Sequence, residues 1–239
     1  MFARLVGVGR ARVALAVALF GLMPVCTRGD IRDFPFTYDW QQPARNEKEL
    51  ELHGAYFGAS NLQVHQLEME WGITDRFSAA PYVVFHNGGG RGFHLDAVKL
   101  ETRYQLGTYA SGRFLPGLYA EIEKAMDEPA ELEAKLIVSR YDAAGNDLSF
   151  NYIVQRGLGT DGVTTHAYSV AFAGSPRRSD ARLGVEFIHN LSTGRMNAGP
   201  TIGFRPIPSI WMVTGYALPI NGRENNRGEF RVIAEYQWF

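Results

Sequence analysis

The sequence predicts an all-β protein, a closed antiparallel transmembrane β-barrel of about twelve strands, and three observations lead to that class. From residue 48 onward, apolar and polar residues alternate with period two through run after run. The runs are about ten residues long, which suits a tilted crossing of a hydrocarbon layer, whereas strands of soluble sandwiches average about five or six. Clusters of Gly, Asp, Asn and Pro separate them, and an even number near twelve is what single-chain bacterial barrels require.

The chain begins with an address. Met1 to Arg12 carries Arg4, Arg10 and Arg12 without an acid, and Val13 to Val25 is an apolar run too short to span a bilayer as a helix. Residues 1–29 therefore read as a cleaved secretory signal peptide, with Thr27 and Gly29 as the small residues before the cut. Lipidation of Cys26 is an alternative, but bulky Val25 stands where a small residue is expected. Residues 30–47 form an irregular, Pro-containing lead-in, and 48–239 form the barrel domain.

The strands are expected near 48–59, 62–73, 77–87, 93–107, 115–126, 131–141, 147–157, 164–174, 181–190, 197–205, 209–219 and 228–239, a count uncertain by about two. The second is the clearest: His65, Leu67, Met69, Trp71 and Ile73 share one face, while Gln66, Glu68 and Glu70 share the other. Thr74-Asp75-Arg76 turns the chain into Phe77–His86. Further on, Val98, Leu100 and Tyr104 oppose Lys99, Glu101 and Arg103, and Leu118, Ala120 and Ile122 oppose Tyr119, Glu121 and Glu123. Leu132, Ala134 and Leu136 oppose Glu131, Glu133 and Lys135; Phe150, Tyr152 and Val154 oppose Asn151 and Gln155. Leu183, Val185 and Phe187 oppose Arg182 and Glu186, and the last run sets Phe230, Val232, Ala234, Tyr236 and Trp238 against Arg231, Glu235 and Gln237.

Alternation alone does not separate a soluble secreted β-protein from a membrane barrel, because the same stripe faces a core in one and lipid in the other. Aromatic residues near strand ends (Tyr56, Phe57, Trp71, Phe77, Phe93, Tyr141, Phe204, Tyr216 and Trp238) fit interfacial girdles. Short connections at Thr74–Arg76 and Arg205–Ser209 contrast with the long polar ones at Asn87–Gly92 and Asn221–Gly228, although Gly159–Gly162 is short where a long loop is expected.

The C-terminal Tyr236-Gln237-Trp238-Phe239 resembles the terminal signal of bacterial outer-membrane barrels, which implies recognition of the strand ending at Phe239 by the barrel assembly machinery. The stretches 68–77 (EMEWGITDRF) and 198–206 (AGPTIGFRP) look like segments of small barrel proteins grouped loosely with the phenol-degradation-associated outer-membrane proteins. That resemblance implies a bacterial outer-membrane location, contact with membrane lipid, and little chemistry.

Parity assigns Glu68, Glu70, Lys99, Glu101, Arg103, Glu121, Glu123, Glu133, Lys135, Arg182, Glu186, Arg231 and Glu235 to the lumen, along with Glu49, Glu51, His53 and Gln66. Opposite signs are expected to meet across adjacent strands as a mixed-charge lattice. That lattice is either a polar path favouring cationic or polar solutes or a plug of paired charges. With 24 basic against 25 acidic residues there is no basic excess for nucleic acid, and the single cysteine excludes a disulfide framework.

No cofactor or metal motif is present: His86 and His94 flank the Gly-rich turn at 87–92, a wet hairpin with a cross-strand zinc pair as its alternative. His189-Asn190-Leu191-Ser192 resembles the His-x-Ser-Asn-Gly segment of outer-membrane phospholipases and lipid A deacylases. The resemblance implies His189 as general base and Ser192 as nucleophile, with Asn190 or Asn197 orienting, but three-residue spacing puts the pair on opposite faces of a regular strand. The expected role is thus passage of small polar solutes without catalysis. A lipid hydrolase and a structural surface barrel acting through its loops stand as alternatives.

Overall fold

The computed structural model describes residues 31–58, 60–88, 90, 92–176, 181–222 and 228–238. The signal peptide expected at 1–29, Phe239, and parts of the loops at 87–92 and 221–228 lie outside the described residues.

Twelve antiparallel strands close into one barrel: β1 (Lys48–Phe57), β2 (Leu62–Thr74), β3 (Phe77–Asn87), β4 (Phe93–Gln105), β5 (Phe114–Ala125), β6 (Glu131–Tyr141), β7 (Asp147–Gly157), β8 (Thr164–Gly174), β9 (Arg182–Asn190), β10 (Arg195–Ile207), β11 (Ile210–Pro219) and β12 (Glu229–Trp238). Each strand pairs with its sequence neighbours, and β1 pairs with β12 from Lys48↔Trp238 to Phe57↔Glu229. Closure leaves no open edge, the condition for strands in hydrocarbon, where an unpaired backbone group costs several kcal/mol. Observed strand ends agree with the expected spans to within about two residues, the usual uncertainty of sequence-based boundaries.

The two faces separate as parity requires. Leu52, Leu67, Met69, Leu100, Leu118, Leu132, Leu136 and Val185 stand exposed on the outside, a continuous apolar belt. A soluble monomer rarely shows apolar patches beyond a few hundred Å², so this belt identifies the exterior as a lipid-facing surface. Trp71, Phe93, Phe204 and Tyr216 are exposed as girdle residues should be. Tyr141 is a correction: it points inward, buried with Trp40 and Leu115, because it shares the odd parity of Ser139 and Ile137 on β6.

The start of β1 and the end of β12 lie at one end of the barrel, here the terminal end. The loops 106–113 and 175–181 at that end are as substantial as most at the other, so loop length does not distinguish the ends as expected. The ladder shifts register between Val84 and Phe85 against β4, and again near the ends of β2 and β10.

Candidate functional site

The lead-in is not outside the barrel. Residues 31–47 run into the lumen from the terminal end, with Asp33, Phe34, Pro35, Thr37, Asp39 and Trp40 all buried. An irregular segment makes no ladder bonds, so its backbone needs partners from elsewhere. Inward side chains of the wall supply them. Tyr38 exchanges two 2.7 Å hydrogen bonds with Asn151 of β7, its N–H donating to Oδ1 and its carbonyl accepting from Nδ2. The Trp40 N–H donates to Ser139 Oγ of β6 at 2.9 Å, and the Phe36 N–H donates to Glu186 of β9 at 3.2 Å. Gln105 and Arg103 of β4 donate to the carbonyls of Trp40 and Asp39 at 3.1 Å each, and Arg231 of β12 donates to that of Pro35 at 2.9 Å. Trp211 Nε1 of β11 donates to the Arg32 carbonyl at 2.8 Å.

Side chains of the segment reach the wall too. Arg182 holds Asp33 through both carboxylate oxygens, and Tyr38 OH donates to Glu101 at 3.0 Å. The Arg32 and Lys135 cations sit over the Tyr38 ring at 4.2 and 4.0 Å, and Arg231 covers Phe36 at 4.7 Å. Phe34 packs on Ala171 and Ala173. Burial, reinforced by the neighbouring Asp33 carboxylate, pushes Asp39 up to about 6, and burial also raises Asp33 and Glu47.

At its C-terminal end the segment docks on β2. Asn46 N–H donates to Gly72 O at 2.8 Å and Gly72 N–H to Glu47 O at 3.0 Å. Gly72 faces inward, and a Cβ there would lie 1.9 Å from the Ala44 carbonyl oxygen. Gly72→Ala is therefore expected to displace the Pro43–Asn46 turn while leaving the β1–β2 ladder intact. Limited proteolysis of the refolded barrel checks this: cleavage within 40–47 should speed up severalfold relative to wild type, and unchanged protection would refute the docking role.

The segment divides the interior. Against the β12–β1 wall it lines a cavity of about 10 Å³ with Arg32, Tyr38, Asp39, Glu49, Glu51, Arg103 and Glu235, room for about one water. A recess of about 440 Å³ opens at the terminal end beside Asp33, Tyr109, Tyr141, Arg182 and Trp211. Another of about 370 Å³ lies at the far end beside Glu123, Glu128 and Glu131.

Of the residues assigned to the lumen, Glu68, Glu70, Glu101, Arg103, Glu186 and Glu235 are buried. Lys99 bridges Glu121 (3.3 Å) and Glu123 (2.8 Å), Lys135 pairs with Glu133 (2.7 Å), and Gln155 donates to Glu133 at 2.5 Å. Arg231 pairs with Glu229 at 2.6 Å, and Arg182 is taken by the lead-in rather than by the wall.

The expected meeting of opposite signs across adjacent strands holds at Lys99↔Glu123 but does not describe the whole lattice. Directly opposed partners are often both acids: Glu51↔Glu68, Glu49↔Glu70, Glu101↔Glu121, Glu121↔Glu133 and Glu123↔Glu131. Besides Lys99, cations sit a rung or more away or on the inserted segment, as with Arg103–Glu70 and Arg32–Glu51, both 3.5 Å. The interior is more acidic, rung by rung, than a checkerboard of pairs.

The hydrolase pair is not assembled. His189 continues the outward face and its Nδ1 lies 3.4 Å from Tyr168 OH, whereas Ser192, in the β9–β10 turn, accepts from the His166 N–H at 2.9 Å. The three-residue spacing has its expected consequence, and no bulge is recorded in the β9–β10 register to undo it. Asn190 caps the turn through the Thr193 N–H (2.9 Å), and Asn197 Nδ2 donates to Ala217 O (3.3 Å). At the rim, His86 and His94 are register partners with rings 6.3 Å apart, and both face Asp96, at 3.3 and 3.8 Å. The described groups whose ligand atoms cluster most tightly are elsewhere: Glu51, His53 and Glu68, and Glu49, Glu51 and Glu70.

Solved structures that resemble this architecture include two porins. One is "KdgM porin in complex with disordered oligogalacturonate", with TM-score 0.61, 7% identity, and coverage of 80% of this chain and 99% of that one. The other is "NanC porin structure in rhombohedral crystal form", with TM-score 0.58, 13% identity, and coverage of 80% and 100%. The fold is a closed twelve-stranded antiparallel barrel like those two structures. No family model matches the chain, and no curated protein matches it. At these identities the likeness concerns the fold, and the barrel here carries a segment of its own chain in its lumen.

Proposed function

We propose that this porin-type barrel sits in a bacterial outer membrane and passes small polar solutes, cations ahead of anions, through its lumen. Residues 31–47 act as a plug that sets the resting permeability. The observation that carries the reading is the acid-on-acid lining of β4–β6 (Glu101, Glu121, Glu123, Glu131, Glu133), which leads from the far-end recess toward the plug. Five acids against Lys99, Arg103 and Lys135 leave this stretch net negative, and a passage with a net negative lining concentrates cations and repels anions. The resemblance of residues 68–77 and 198–206 to the phenol-degradation-associated group supports the location, as does the C-terminal strand as a handle for the assembly machinery.

Planar-bilayer recording of the purified barrel under a salt gradient tests the reading. Wild type is expected to show discrete conductance steps and a reversal potential on the cation-selective side. Glu121→Gln with Glu133→Gln should move that potential toward zero by at least several millivolts, because two fixed charges leave the path. A barrel that is folded but silent with and without its plug would refute passage.

A further inference from the structure

The register places Glu235, Glu51 and Glu68 side by side across β12, β1 and β2, and sets Glu49 opposite Glu70 one rung on. All five side chains are buried. Like charges directly opposite each other destabilise a sheet, and buried anions need compensation by partners of opposite sign. Arg32 and Arg103 supply some, each at 3.5 Å from one carboxylate.

His53 stands at the centre. Its Nε2 lies 2.7 Å from Glu51 Oε2 and 3.1 Å from Glu68 Oε2. A neutral imidazole has one Nε2 proton for these two oxygens, whereas a cation among the three atoms satisfies all of them. Separations near 3 Å are those of ligand atoms that share an ion at about 2.1 Å. A second observation points the same way. Asp39 Oδ2 is buried with no hydrogen-bond partner among the described residues. Asp39 lines the small cavity with Glu49, Glu51 and Glu235.

We propose that Glu51, His53 and Glu68 bind one divalent transition-metal ion of the Zn²⁺ or Mn²⁺ class, pinning β1 to β2 beside the plug. One imidazole with carboxylates suits such an ion better than Ca²⁺ or Mg²⁺, which take oxygen ligands. The site is independent of solute passage, so conductance can fail or succeed without deciding it.

The test is Mn²⁺ titration of the full mature barrel, chelator-treated in detergent, with free Mn²⁺ read by electron paramagnetic resonance. The His86→Gln/His94→Gln background removes the rim histidines from the count. The expected result is saturable uptake of about one ion per chain, displaced by Zn²⁺ but not by an equal concentration of Ca²⁺. Glu51→Gln and Glu68→Gln should each weaken it by about tenfold or more. Both replacements keep side-chain volume and relieve charge repulsion, so each should remain heat-modifiable; His53→Gln gives the same reading by a third route. Absence of saturable uptake in the background protein, or uptake unchanged in all three variants, overturns the site.

Discussion

Deleting residues 31–46 should convert a largely closed barrel into an open one, raising single-channel conductance about tenfold or more. The inserted segment occupies the lumen beside the β12–β1 wall, where the cavity it lines is about 10 Å³, room for about one water, so removing it opens space for hydrated ions. The balance of forces makes removal tolerable. Ordering each residue of the segment costs about 1–2 kcal/mol, while each of its hydrogen bonds returns a net of about 0.5–1.5 kcal/mol. Polar bonds alone therefore fall short, and seating depends on burying apolar side chains such as Phe34 and Trp40, worth about 1.5–3 kcal/mol each. The β1–β12 closure does not use the segment, so the deleted barrel should fold and keep its mobility shift on heating. A synthetic peptide of residues 31–46 added to the deletion variant should lower the conductance again. If the deletion variant folds yet conducts like wild type, the plug reading fails; Phe34→Ala/Trp40→Ala, which leaves the chain intact, offers the same comparison.

Most of the wall could be read from the sequence, and most of what fills it could not. Strands are local: Leu67, Met69 and Trp71 against Gln66, Glu68 and Glu70 disclose period, face and length within one run. Parity even placed His189 outward and Ser192 away from it. Register is not local. That Glu51 faces Glu68 and also Glu235 depends on the turn at 58–61 and on closure between the first and last strands, so the acid rungs and the His53 cluster stayed hidden while each member was individually assigned inward.

The plug was hidden for a different reason. Residues 31–47 have no period because their backbone partners are side chains scattered over the wall, from Ser139 and Asn151 to Arg231. One signal was available. Toward the terminal end, four neighbouring inward positions on β6–β8 are small and neutral, Ser139, Ser149, Asn151 and Ser169. Small side chains on one wall of a lumen leave room, and the segment occupies it.

Leu67→Arg should be the most destabilising single change on the outer face, costing about 2–4 kcal/mol in a denaturant titration of the barrel in lipid vesicles. Leu67 lies at the middle of β2 in an apolar outward rung with Leu52 and Val83, themselves near the midpoints of β1 and β3. An arginine there meets hydrocarbon at the depth where a charge is hardest to solvate, and a strand side chain has limited reach to snorkel toward either interface. Gln66→Arg, one residue away, points into a lumen containing Glu68 and Glu101 and should cost less than about 1 kcal/mol. The two substitutions share charge, size and sequence neighbourhood, so their difference isolates the face. In a water-soluble β-protein Leu67, at 39% exposure, would be a surface position where arginine changes stability by no more than about 0.5 kcal/mol. Equal small costs for both variants would therefore exclude the membrane barrel. A cost several times larger for Leu67→Arg fixes which side of the sheet meets lipid, and with it the identity of every residue on the side that does not.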